Sequence, residues 1–234
     1  MNIKIITILF VLLLSSACSV AVMKVDENLK TNSTVMKVKG LQGWQIRRVI
    51  KFGEFKTSKI KGGWKTGSNI HFLVDYKDAS QKYEFTQFDG ENNSLKVYCA
   101  GDLTMFSTPF PKTDIKIPLN VEDVFKAHIQ SVDTNEEWEL TMTNPNEIAF
   151  QGLSAGELVG KGHVYQIQPV RKLEKGSLGP KIIGYKFVKE NKSIAAVQTL
   201  GSGKVWMWDE LIFTDKLVLA AACSALMIRD DLDE

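Results

Sequence analysis

The sequence predicts an all-β domain with one helix: about twelve strands closed into a barrel around a buried, hydrophobic C-terminal helix. Three observations lead there. From Met36 onward, short runs of alternating apolar and polar residues recur, separated by turn residues. From Leu217 to Ile228 the chain reads LVLAAACSALMI, with Ser224 as its one polar side chain. As a helix rising 1.5 Å per residue this stretch reaches about 18 Å, short of a bilayer core of about 30 Å. A helix that is apolar all round and too short for a membrane must be covered by protein on every side. A flat sheet covers one side; a sheet that wraps covers all of them.

The chain opens with MNIKIITILFVLLLSSAC. Lys4 supplies a basic start, Ile5 to Leu14 an apolar run broken by Thr7, and Ser15 to Ala17 a small-residue end. This is the pattern of a secretory signal peptide over 1–17, too short and wrongly flanked for a spanning helix. Cys18 follows, and LSSAC resembles the lipobox of bacterial lipoproteins, whose cysteine is acylated and becomes the new N-terminus. The segment departs from that family at Ser15, where leucine is preferred. The resemblance implies lipidation of Cys18, and Ser19 after it implies the outer membrane, facing the periplasm. Cleavage after Ala21, behind SVA, is the other reading. Several acyl chains, at about 0.8 kcal/mol per buried CH2, anchor a protein stably. Residues 18–35, small and polar, are expected as a lipidated N-terminus and flexible tether, and 36–234 as one barrel domain with its central helix at 214–229.

Within that domain GWQIRRVIKF, EFKTSKI, IHFLVDYKD, KYEFTQFDG and SLKVYCAGDL read as strands, with turns at Asp89-Gly90 and Asn92-Asn93. DIKIPLN is a short strand that Pro118 restricts to an edge or end. VFKAHIQSVD, EWELTMTN, EIAFQGLS, HVYQIQPVRKL, IIGYKFVKE, KSIAAVQTLG and KVWMWDEL continue the series, and a helical turn is conceivable at Val121. Trp206 and Trp208, two apart, share one face of their strand, expected to be partly exposed.

The helix begins near Thr214 or Asp215, which suit a first turn, and nothing from Lys216 to Arg229 interrupts it. Leu217, Leu219, Ala222, Cys223 and Leu226 are expected inside the barrel, the alanines letting the wall come close. The alternative is a β-sandwich, or a lipocalin-like barrel, with the helix packed on one face. The run from Ile182 to Glu234, two strands and an aspartate-bearing connection leading into an alanine-rich terminal helix, resembles the tubby-like fold shared by tubby proteins, phospholipid scramblases and LURP-one-related proteins. The resemblance implies a closed barrel threaded by its C-terminal helix. Some members bind lipids through basic surface residues, but no such residue matches here one for one.

Charge and motifs narrow the chemistry. The 234 residues carry a formal net charge of +2 and no basic tail, which gives no footing for nucleic acid. GLSAG, Gly152 to Gly156, fits the G-x-S-x-G of a hydrolase nucleophile, but Gly160 and Gly162 oppose the helix that must follow Ser154. GSGK at Gly201 lacks the spacing of a phosphate loop and reads as a turn. His71, His128 and His163 are dispersed, without metal-ligand spacing, so no metal or cofactor is expected. Cys99 and Cys223 are expected to be unpaired, Cys223 as a small hydrophobe.

KTSKIKGGWK sets Lys56, Lys59, Lys61 and Lys65 beside Trp64, a combination suited to anionic headgroups, although an ordinary exposed hairpin has the same composition. These readings converge on a lipid-anchored envelope protein acting as a non-catalytic binding or scaffold module. Its expected partners are the membrane, through the acyl chains, and a lipid headgroup or envelope protein. A lipocalin-like carrier of a small apolar ligand and a hydrolase using Ser154 are the alternatives.

Overall fold

The computed structural model describes residues 21–41, 48–62, 81–91, 93–105, 121–134, 136–143, 154–176 and 178–232. A short helix α1 (Glu27–Thr31) is followed by β1 (Ser33–Lys37), β2 (Lys51–Phe52), β3 (Phe55–Thr57), β4 (Lys61–Gly62), β5 (Gln81–Phe88) and β6 (Ser94–Met105). Then come β7 (Val121–Ser131), β8 (Glu137–Met142), β9 (Gly156–Gly160) and β10 (His163–Val170). Finally β11 (Gly184–Lys189), β12 (Lys192–Gln198) and β13 (Lys204–Trp208) lead into α2 (Phe213–Leu232). The runs IHFLVDYKD and DIKIPLN, and EIAFQGL before Ser154, lie outside the described residues.

The strands form a single antiparallel sheet of 13 strands in the order β1-β13-β12-β11-β10-β9-β8-β7-β6-β5-β3-β2, with β4 paired to β5. Its two ends meet. Past the end of β1, Lys39 donates to Lys51 O at 2.8 Å, and Lys51 donates back to Lys39 O at 3.0 Å. That single bridge joins the first strand to β2 and closes the sheet into a barrel. Gly40 makes the seam possible: its φ is +84°, and a Cβ there would collide with the carbonyl oxygen of Val49.

Helix α2 fills the barrel. Every residue from Leu217 to Arg229 is buried, and Leu219, Ala222, Cys223 and Leu226 have no exposed surface. Its polar groups reach opposite parts of the wall. Near its N-terminus Asp215 Oδ2 accepts the Tyr165 hydroxyl of β10 at 3.1 Å. Further along, Ser224 donates to Gln87 Oε1 of β5 at 2.8 Å, and Tyr83 of β5 donates to Ala225 O at 2.8 Å. The one polar residue of the apolar run is therefore hydrogen-bonded, as burial demands. Cys99 and Cys223 are not joined in a disulfide, and burial pushes both thiols far up from their ordinary range.

Three local expectations are corrected. The tether assigned to 18–35 is, from Ala21 on, a strap on the outside of the barrel. Met23, Val25 and Leu29 pack with Leu173, Ile183, Ala196 and Trp206 in a second apolar cluster. Small polar neighbours hide these apolar residues, spaced at i, i+2 and i+6, in the sequence. The same strap corrects the exposed tryptophan face at Trp206, which points outward but is covered, with 3% exposed, while Trp208 is half-buried against the main core. Finally, Val121 opens a strand of 11 residues and no helical turn, because its alternating residues pair with both β6 and β8.

Leu219→Ala should lower the unfolding free energy by about 2–5 kcal/mol, the usual loss for a fully buried leucine. Ala222→Leu should lower it by about 1–3 kcal/mol, because no side of the helix has room. Denaturant titration measures both; a helix lying on one face would accept the second change with little loss.

Candidate functional site on the outer wall

Both β3 and β4 pair with the same neighbour, β5, but at different heights: Lys56 opposite Phe88, and Lys61 opposite Glu84. Between them the ladder breaks. Ser58 N still donates to Thr86 O at 2.7 Å, while Thr86 N is taken by the Ser58 hydroxyl at 2.9 Å, a side chain standing in for backbone. Ile60 N turns the other way, to Arg48 O at 3.1 Å. The gap leaves a cavity of about 240 Å3 on the outer face of β5 and β6. Lys59, Lys61 and Lys96 stand around it with Ser58, Thr86 and Tyr98, and Glu84 is the one carboxylate in its lining. Lys61 lies 3.5 Å from that carboxylate, an exposed pair that contributes little. Three ammonium groups and three hydroxyls against one acid make a concave, net positive site.

A second basic feature adjoins it. The bridge that closes the barrel sets Lys39 directly opposite Lys51, and the β2–β3 pairing sets Lys51 directly opposite Lys56. Directly paired residues of an antiparallel ladder share a face, so three exposed lysines stand side by side across the seam. None of them is ion-paired among the described residues. Lys56 has only the ring of Phe88, its Nζ 5.8 Å from the centroid. Like charges in this register are destabilising, and an anion on the outer face would relieve them.

From the cavity a polar row continues round the wall in lateral register: Lys61, Glu84, Tyr98, His128 and Glu139. Burial first, then Glu84, holds the Tyr98 phenol above its ordinary value. His128 is buried, with Glu137 4.0 Å from its Nε2. Burial holds its imidazole below the usual 6.5, against the opposing pull of Glu137 and Glu139.

The structure thus brings together Lys56, Lys59 and Lys61 of the expected headgroup site and adds Lys39, Lys51, Lys96 and Tyr98. Trp64, Lys65 and Cys18 lie outside the described residues. Lys96 and Tyr98 were within reach of the alternation in SLKVYC, which puts them on the face opposite Leu95, Val97 and Cys99. Lys39 and Lys51 carried no such signal, because their pairing is created by closure. Ser154 is followed directly by Ala155 and strand β9, so the strand-to-helix turn of a hydrolase nucleophile is not formed there. Among the described residues no group of three His, Cys, Asp or Glu is placed to hold a metal ion, and no helix is long and apolar enough to cross a membrane. Comparison with protein families, curated proteins and solved structures finds no match to this chain.

Two measurements check this electrostatic picture. Lys51→Glu, at the centre of the lysine row, should raise stability by about 0.2–1 kcal/mol at low ionic strength. That gain should shrink in about 1 M salt, where the screening length falls to about 3 Å. For His128 the unfolded chain binds its proton near pH 6.5 and the native chain resists it. The unfolded state then holds more protons, so stability should fall as pH drops below about 6.5 and level off once the buried imidazole also titrates. His128→Gln should flatten that part of the profile in denaturant titrations run at successive pH values.

Proposed function

We propose that this chain is an exported, lipid-anchored protein of the bacterial cell envelope, of the tubby-like type, and that it is a non-catalytic module binding an anionic group on its outer wall. The observation that carries the binding reading is the cavity beside the lysine row, where Lys59, Lys61 and Lys96 face a single carboxylate. The ligand favoured is a phosphate-bearing lipid headgroup, since concave sites with converging ammonium and hydroxyl groups suit a compact anion. An acidic surface of an envelope protein is the second source of the same charge. The anchor rests on the signal pattern and Cys18, and the outer membrane, from the periplasmic side, on Ser19. The tubby-like reading is supported by a ring of strands enclosing a C-terminal helix with no exposed apolar residue between Leu217 and Ile228.

The carrier alternative is disfavoured because α2 occupies the space a lipocalin-like barrel would offer its ligand. The hydrolase alternative is disfavoured by the strand that follows Ser154.

Binding is tested with vesicles of phosphatidylglycerol in phosphatidylcholine, pure phosphatidylcholine vesicles and inorganic phosphate. Phosphatidylglycerol vesicles should bind, and the Lys59→Ala/Lys61→Ala/Lys96→Ala variant should bind them less by roughly fivefold per lysine, from about 1 kcal/mol each. Equal binding by the variant removes the site. Phosphate competing as well as vesicles points to a free anion rather than a membrane. Separately, palmitate incorporation in cells should disappear in Cys18→Ala; if it persists, the anchor reading fails.

A further inference from the structure

The strap ends at a definite place. Met23 is bridged antiparallel to Leu173 in the connection between β10 and β11. Lys24 N donates to Lys172 O at 2.8 Å, and Glu174 N donates to Val22 O at 2.8 Å. Gln198 clamps the same segment from β12: its Oε1 accepts from Met23 N at 2.9 Å and its Nε2 donates to Ala21 O at 3.1 Å. Met23 sits over Gly184, where a Cβ would lie 2.6 Å from its sulfur. Position 21 is therefore fixed to the barrel by both apolar packing and hydrogen bonds.

At that place the surface is basic and carries an exposed apolar side chain. The bridge sets Lys24 opposite Lys172, both exposed, and Lys175 follows, also exposed. None of these three is ion-paired among the described residues, while the nearby Glu174 is taken by Lys30 at 3.0 Å. Leu178 in the same connection is 44% exposed. Cys18 lies only three residues before Ala21. A chain covers at most about 3.6 Å per residue, so these three allow a reach of roughly 10 Å.

We propose that the β10–β11 connection, with Lys24, Lys172, Lys175 and Leu178, is the face that lies on an anionic bilayer, and that the strap holds the barrel there in one orientation. The proposal rests on the reading of Cys18 as acylated. A cysteine tied within about 10 Å of this face brings the bilayer to it. The ammonium groups then meet anionic headgroups, and Leu178 enters the interface. The lysine cavity belongs to the side wall on β5 and β6 and shares no residue with this face.

The experiment uses Leu178→Cys and, in the β7–β8 turn, Asp133→Cys, each labelled with an environment-sensitive fluorophore on the full acylated chain. Cys99 and Cys223 are fully buried and do not compete for the label. On vesicles of phosphatidylethanolamine and phosphatidylglycerol, emission from position 178 should shift to the blue and be quenched by a lipid-borne quencher, while position 133 stays as in water. Lys172→Glu/Lys175→Glu should lower the membrane-inserted fraction at 178 by roughly fivefold per lysine. No shift at 178, or equal shifts at both positions, overturns the proposal in favour of a barrel free to tumble on its anchor. The Cys18→Ala chain separates the two readings. A shift at 178 that persists there on phosphatidylglycerol vesicles keeps the surface even if palmitate labelling shows no acylation of Cys18.

Discussion

The architecture depends on one constraint: a helix without a polar face has to be enclosed. Leu217 to Arg229 is buried throughout, and a structure that failed to surround it would leave alanine, leucine and methionine surface in water. At about 25 cal/mol per Å2 of apolar area, enclosing it on all sides is a large part of what drives the fold. The enclosure in turn fixes the wall. Its strands alternate, with Phe85, Val97, Ala127, Leu140, Leu158 and Val205 inside, because the helix they face is apolar. The buried charges of the helix lie at its ends, Asp215 in the first turn and Arg229 in the last. That placement agrees in sign with the helix dipole. Both are buried and both are partnered: Asp215 by Tyr165, Arg229 by the ring of Phe125 5.6 Å away.

Closing a ring around a central helix has a local consequence. The strands that meet last must pair in whatever register the ring's circumference and tilt allow. Here that register sets Lys39 beside Lys51 and Lys51 beside Lys56. A seam made of three like charges is not what stability alone would select, and the lysines keep their ammonium groups in solvent. The break between β3 and β4 is the second irregularity of this part of the wall, and it leaves the cavity. A broken ladder and uncompensated charge thus meet in one region of the wall, and local departures from the rules of stability are where sites are commonly found on rigid scaffolds.

Most of this fold was legible in the sequence because it is written in periodicities. Period-2 alternation gave the strands, and the missing polar face of LVLAAACSALMI gave the enclosure. The failures share one physical cause: contacts that depend on partners distant in the chain. Met23, Val25 and Leu29 look like tether residues until Leu173 and Trp206 are brought beneath them. Trp206 looks like an exposed aromatic until the strap is laid over it. The candidate site divides in the same way. Lys56, Lys59 and Lys61 stood out as a local cluster. Lys96 could be placed outward by alternation, but its meeting with Lys59 across β5 required the β5–β6 pairing, and the lysine row required closure.

A filled barrel also restricts where binding can occur. In a barrel with an empty lumen, the mouth and the interior are the natural sites, and the loops act as lids. Here α2 removes the interior as a binding volume. What is left is the outer face of the wall and the connections at its ends. On the outer face, the side chains that alternate away from the core are chosen neither by the helix nor by the packing of the strands. Charge there can change without unfolding the protein, so uncompensated lysines on that face are not required by the fold. Two of the places where lysines stand in direct lateral register, the seam at Lys51 and the strap at Lys24 and Lys172, are also places where the N-terminal part of the chain is joined to the barrel. Both junctions come from the same 20-odd residues after Ala21, so the segment that completes the barrel also sets the charge of its surface.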